Sequence, residues 1–146
     1  MRIALGADHA GFELKQRLAE VLASEGHSVE DLGTHSLEST DYPDWAARVA
    51  DAVASGAADR GVLVCGSGVG MAIAANRRRG VRAVPASDLY TARLARGHND
   101  ANVLALGARI VAPALAEEIL AVFLATPFDG GRHERRVAKL DRSDSA

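Results

Sequence analysis

The sequence predicts a doubly wound α/β fold, a three-layer α/β/α sandwich in which helices cover both faces of a five-stranded parallel sheet. Short apolar runs alternate along the chain with longer segments of helical period, which is the pattern of such a sheet. The connections are short, and no repeat or low-complexity linker interrupts them. The chain has 146 residues, 48% hydrophobic and 25% charged, which suits one domain with a single core.

Arg2 to Ala7 is the first apolar run. After it Leu14, Leu18, Val21 and Leu22 fall on one helix face, and Gly26 ends that helix. Ser28 to Leu32 is the second strand, and Trp45, Val49 and Val53, four apart, mark the second helix. Gly61 to Val64 is a third strand that stops at a glycine loop, Cys65 to Gly70, and turns into an alanine-rich helix, Met71 to Asn76. Arg82 to Val84 is the fourth strand, Asp88 to Arg96 a helix ended by Gly97, and Val103 to Leu106 the fifth strand. Pro113 suits the first turn of a helix carrying Leu115, Ile119, Leu120 and Phe123. Arg132 to Leu140 is a short basic helix. Residues 1–140 form the expected domain, and Asp141 to Ala146 a polar, flexible tail.

The formal net charge of -2 provides no overall basic field, so the totals do not point to nucleic acid or an anionic membrane. Any anion site must be local. Cys65 is the only cysteine, which excludes an intrachain disulfide. The N-terminal run MRIALGAD is too brief for a signal-peptide core, and no apolar stretch approaches membrane-spanning length. The expected compartment is the cytoplasm.

Ligands of open parallel sheets bind beyond the carboxyl ends of the strands. Asp8 and His9 follow the first strand there, Cys65 to Gly70 the third, and Ser87 with Asp88 the fourth. The glycine loop lets backbone amides approach an anion closely, whether a phosphate or an enediolate oxygen. It lacks the Lys-Ser/Thr pair of a P-loop and the last glycine of the dinucleotide fingerprint. A thiol at a strand end beside such a loop favours thiolate chemistry, as nucleophile or base, over an inert buried cysteine. His98 serves equally well as a partner for a helix C-terminus or as an acid–base group. Arg132 and Arg136 share one helix face, either as solvated surface or as a clamp on one anion. Arg77, Arg78 and Arg79 read as a solvated helix end.

Five separated motifs, GADHAGFELK at 6–15, TDYPDWA at 40–46, CGSGVGMAIAANR at 65–77, GHNDANVLALGARI at 97–110 and GGRHERRV at 130–137, resemble the ribose-5-phosphate isomerase B family. That family also includes allose-6-phosphate and galactose-6-phosphate isomerases. The resemblance implies a flavodoxin-like or Rossmann-like sandwich that assembles as a homodimer or a dimer of dimers, with active sites built from two subunits. It implies a small phosphorylated sugar as substrate, no cofactor and no metal.

By position, Cys65 matches the family's catalytic base and Gly66, Ser67, Gly68, Val69 and Gly70 its cradle for the enediolate. His98 matches the ring-opening residue, with Asp8 close by. His9, Arg132 and Arg136 match phosphate contacts, and Tyr42, Asn99 and Arg109 further substrate contacts. One branch of the family replaces the cysteine by serine and uses a glutamate in the glycine loop; here that loop position is Val69, so the chain resembles the cysteine branch. Ser67 stands where threonine is common and keeps the hydroxyl that relays a proton between sugar oxygens. Pro85-Ala86-Ser87 also departs from the usual pattern, which bears on substrate choice.

The reading is an aldose–ketose isomerase acting on ribose 5-phosphate through a cis-enediolate. A six-carbon or four-carbon sugar phosphate is the alternative substrate. A non-catalytic flavodoxin-like nucleotide-binding or signalling module is the alternative class, and it lacks the acidic cluster that a signalling receiver needs after its first strand.

Overall fold

The computed structural model describes residues 1–142. It contains β1 (Arg2–Ala7), α1 (Phe12–Ser24), β2 (Ser28–Asp31), α2 (Tyr42–Ala54), β3 (Arg60–Cys65), α3 (Val69–Ala75), β4 (Ala83–Pro85), α4 (Leu89–Asn99), β5 (Val103–Gly107), α5 (Pro113–Ala125) and α6 (Arg132–Asp141). The five strands make one parallel sheet in the order β2-β1-β3-β5-β4. Among the described residues no helix is long and apolar enough to cross a membrane.

Alternating side chains send each central strand into two cores. Ile3, Leu5, Ala7, Val62, Val64, Leu104 and Leu106 join Leu14, Leu18 and Leu22 of α1 and Ile119, Leu120 and Phe123 of α5. Ala4, Leu63, Cys65, Val103 and Ala105 join Ala46, Val49 and Ala50 of α2 and Met71, Ala72 and Ala75 of α3. The helices therefore lie on both faces, as the alternating runs predict. The chain moves outward from β1 to β2, then crosses back to β3. This reversal opens a crevice at the carboxyl ends of β1 and β3, where Asp8 and Cys65 emerge.

Most element ends agree with the sequence within a residue or two, and the exceptions have local causes. The first helix does end before Gly26, whose amide bonds to the Ala23 carbonyl at 3.1 Å while His27 N bonds to Leu22 O at 3.1 Å, a Schellman closure. Asp88 is the N-cap of α4 rather than its first residue, its carboxylate accepting from Thr91 N at 2.6 Å. Gly97 does not end α4. The helix continues to Asn99 and stops at Asp100, which takes the left-handed conformation at φ 46°. Gly97 lies within the helix where the neighbouring loop packs against it, Asp129 N donating to its carbonyl at 2.9 Å. At the other end of the chain α6 includes Asp141, which the sequence assigns to the tail, because Arg82 holds its carboxylate at 3.1 Å. The rest of the expected tail, residues 143–146, lies outside the described residues.

Candidate active site

The β3–α3 junction is built around the sulfur of Cys65. The residue is buried at 5% exposure, and its Sγ accepts a hydrogen bond from the Gly68 amide at 3.1 Å. That amide supplies a donor where a thiolate carries its charge. Gly68 turns the loop at φ 79°, and a Cβ on it would meet the Leu106 backbone at 3.0 Å. Both the conformation and the space call for glycine. Ser67 is exposed, and its Oγ accepts from Val69 N at 3.3 Å, which leaves the hydroxyl proton to donate elsewhere.

The end of β5 closes this loop from the side. Ala108 N donates to Cys65 O at 2.8 Å and Arg109 N to Gly66 O at 3.0 Å, which brings the Arg109 guanidinium over Gly66. On the other flank the Tyr42 ring, at the start of α2, lies against Gly70. Asp8 follows β1 and is buried; its Oδ1 accepts from the amides of Ala10 at 3.0 Å and Gly11 at 3.1 Å. This bond pattern keeps the carboxylate fixed as the chain turns into α1. His9 Nδ1 accepts from Thr40 N at 3.2 Å, so the neutral ring carries its proton on Nε2 and presents a donor. Asp8, Tyr42, Cys65, Gly66, Ser67, Gly70 and Arg109, with Ile110, line a single open cavity of about 330 Å³. Val69, in the same loop, is exposed.

A second group of predicted residues gathers elsewhere. His98 and Asn99 end α4, and Arg132 and Arg136 lie on α6. Both arginines are exposed, and neither guanidinium forms a hydrogen bond or ion pair among the described residues. His98, Asn99 and Arg136 line a cavity of about 380 Å³ together with Leu94, His133, Val137 and Leu140. The sequence reading overlooked His133, which lies between the two arginines and stacks on His98 with ring centroids 4.3 Å apart and planes 12° from parallel. Its signal was present in the motif GGRHERRV, but only the arginines matched an anion clamp by spacing. Burial, then His98, then Arg132 push the His133 pKa below the ordinary imidazole value.

Donor atoms of His98, Asp129 and His133 lie within 4.8 Å of one another, a grouping that sequence spacing does not disclose. It has the donor types of a zinc site. Nearly parallel stacked rings, however, direct their nitrogen lone pairs side by side rather than at one point.

Topology keeps the two groups apart within one chain. Helix α4 starts beyond the carboxyl end of β4 and runs back, so His98 arrives at the amino edge of the sheet, just before β5 starts at Val103. Cys65 and Asp8 stand at the carboxyl edge. Strands of five or six residues separate these edges by on the order of 15–20 Å. The expected proximity of His98 to Asp8 is therefore not met within the chain.

The Ribose/Galactose Isomerase family model matches residues 3–140. The chain is 51% identical over 139 residues to ribose-5-phosphate isomerase B of Escherichia coli, covering 95% of this chain and 93% of that one. Its fold is similar to that of Clostridium thermocellum ribose-5-phosphate isomerase B, with a TM-score of 0.98, 48% identity and coverage of 99% and 98% of the two chains. It is likewise similar to ribose-5-phosphate isomerase B of Mycoplasma genitalium with bound ribulose-5-phosphate, at a TM-score of 0.96, 41% identity and coverage of 99% and 96%.

Proposed function

Because the chain belongs to the ribose/galactose isomerase family and is an isomerase, we propose that it interconverts ribose 5-phosphate and ribulose 5-phosphate, with Cys65 as the base. The carrying observation is the Cys65 sulfur, buried at the wall of the crevice cavity with the Gly68 amide 3.1 Å away. A thiolate there takes the C2 proton of the open aldehyde and returns it to C1, passing through a cis-enediolate. Amides of the loop Gly66 to Gly70 stabilise the oxyanion that develops, and the Ser67 hydroxyl moves a proton between O1 and O2. Tyr42 and Arg109 shape the cavity walls against the sugar.

The sugar arrives mainly as a ring, so opening precedes proton transfer. An imidazole donates a proton to the ring oxygen while a carboxylate takes the O1 hydroxyl proton, which breaks the C1–ring oxygen bond and releases the aldehyde. Asp8 is the carboxylate, and His98 of the partner subunit is the imidazole. The separation of the two groups by the sheet supports a homodimer in which each site joins one subunit's Cys65 edge to the other's α4–α6 edge. Asn99, Arg132 and Arg136 come with that second edge, and His9 with the first. The phosphate grip supplies binding energy away from the reacting carbons and fixes their orientation. The whole reading is one domain over residues 1–140. The cytoplasm is the proposed compartment, since a catalytic free thiol suits a reducing environment.

The test is isomerisation by the purified, EDTA-treated protein, with ribose 5-phosphate, allose 6-phosphate and erythrose 4-phosphate offered separately and Cys65→Ala run beside the native chain. Turnover of ribose 5-phosphate that disappears in Cys65→Ala is the expected result. Turnover of only another sugar phosphate keeps the chemistry and changes the substrate, whereas a fully active Cys65→Ala protein removes the thiol from the mechanism.

A further inference from the structure

Arg82 lies outside both groups of site residues, in the turn before β4, yet its guanidinium is shared between the two helices that carry the second group. Nε donates to the Asp100 carbonyl at 2.8 Å and Nη2 to Asp100 Oδ2 at 3.2 Å. Nη1 reaches the Asp141 carboxylate at 3.1 and 3.3 Å. Asp100 caps α4 immediately after His98 and Asn99, and Asp141 is the last residue of α6, the helix of Arg132 and Arg136.

The Asp100 end of this arrangement is rigidly set. Its left-handed φ of 46° is uncommon for a residue with a side chain. The same carboxylate accepts from Arg96 Nη1 at 2.8 Å. Arg96 is itself buried at 3% exposure and bonds to the carbonyls of Ala101 and Thr126. Two guanidiniums thus fix the end of α4 to the body of the protein, and Arg82 extends the fixture to α6. The planar fork of an arginine reaches its acceptors from three separate nitrogens held in one plane, whereas a lysine offers its three donors from a single atom. The His98–His133 stack and the cavity holding Asn99 and Arg136 lie between these same two helices.

We propose that Arg82 is a positioning residue that sets the spacing between His98 and Arg136, and hence between the group that opens the sugar ring and the group that grips its phosphate. The inference rests on the isomerase reading above. Its two arms separate: the Asp100 arm governs the chemical step through His98, and the Asp141 arm governs substrate grip through Arg136.

The test compares Asp141→Asn, Asp100→Asn and Arg82→Lys in the full chain. Asparagine at 100 retains the left-handed preference and removes only the charge. Four quantities are read: kcat and KM with ribose 5-phosphate, the rate at which iodoacetamide alkylates Cys65 without substrate, and the thermal midpoint. Asp141→Asn is expected to raise KM about tenfold with kcat near that of the native chain, Asp100→Asn to lower kcat about tenfold, and Arg82→Lys to do both, since small misplacements of positioned groups have effects of this size. Alkylation should be unchanged in all three, because the Gly68 amide that faces the Cys65 sulfur belongs to the thiol's own loop, which these substitutions leave intact. Native kcat and KM in all three variants would overturn the proposal. So would parallel losses in kcat, KM, alkylation behaviour and thermal midpoint, which mark a general loss of structure. A native protein that turns over no sugar phosphate fails at the isomerase reading itself, before any variant is compared.

Discussion

His98 and His133 stack face to face, with centroids 4.3 Å apart, one on α4 and the other on α6. Burial first, and then the adjacent His98 and Arg132, disfavour the charged form of His133 and lower its pKa from the usual 6.5. In the unfolded chain the imidazole therefore binds its proton at higher pH than in the folded one. Stability from this residue is complete above the ordinary imidazole range and is lost as pH falls from there toward the lowered folded value. The urea midpoint should drop between about pH 7.5 and about pH 5, and the drop should shrink in His133→Gln. An identical drop in that variant assigns the effect to other groups.

Lys15 is a fully buried lysine, and its ammonium contacts Asp31 Oδ1 at 2.6 Å and Oδ2 at 2.5 Å. Asp31 Oδ1 also accepts from Gly33 N at 3.0 Å. The pair joins α1 to the end of β2, beside the turn that runs back along β1 through Gly33 O and Ala7 N. Removing only the carboxylate strands a charge in the interior. Asp31→Ala should accordingly cost about 3–5 kcal/mol in urea unfolding, and Lys15→Met should cost less because it leaves an apolar chain in an apolar place. If Lys15→Met is the more damaging change, desolvation is not what governs this pair.

The sequence disclosed the fold because its elements obey local rules. Leu14, Leu18 and Leu22 are apolar at helical spacing and are buried in α1, and the runs at Arg2–Ala7 and Arg60–Cys65 are strands with buried interiors. The Cys65 loop was legible for the same reason, since strand, thiol and glycines are contiguous. Gly97 misled because a glycine inside a helix, under the loop of Asp129, looks the same in sequence as a glycine that ends one. The separation of His98 from Asp8 follows from the parallel topology itself, because a helix joining two parallel strands must run back to their amino edge; the motif resemblance, which sets His98 close to Asp8, masked it.

Gly68 connects backbone conformation to the chemistry of the thiol. At φ 79°, with the Leu106 backbone 3.0 Å from where a Cβ would sit, alanine must strain the turn and shift the amide that faces Cys65 Sγ. Gly68→Ala should cost about 1–3 kcal/mol of stability and about a hundredfold in kcat. Alkylation of Cys65 by iodoacetamide at neutral pH should slow in step with kcat. A large fall in kcat with unchanged thiol reactivity would locate the damage in the enediolate cradle instead.

A site shared between subunits predicts complementation between two inactive chains. In a mixed dimer of Cys65→Ala and Arg136→Ala, one site receives both substitutions and is dead. The other combines the intact Cys65 edge of the Arg136→Ala chain with the intact α4–α6 edge of the Cys65→Ala chain. Random reassociation of equal amounts makes about half the dimers mixed, and half of their sites whole, so activity should recover to about a quarter of the native value. Each variant alone should remain near background after the same unfolding and refolding. If each subunit instead carried a complete site, every site in the mixture would hold one substitution and no activity would return. A Cys65→Ala and Ser67→Ala mixture is the control for activity produced by reassociation alone. Both substitutions lie on the same edge, at the cavity around the thiol, so every site in that mixture carries one of them and the recovery seen with Arg136→Ala should be absent.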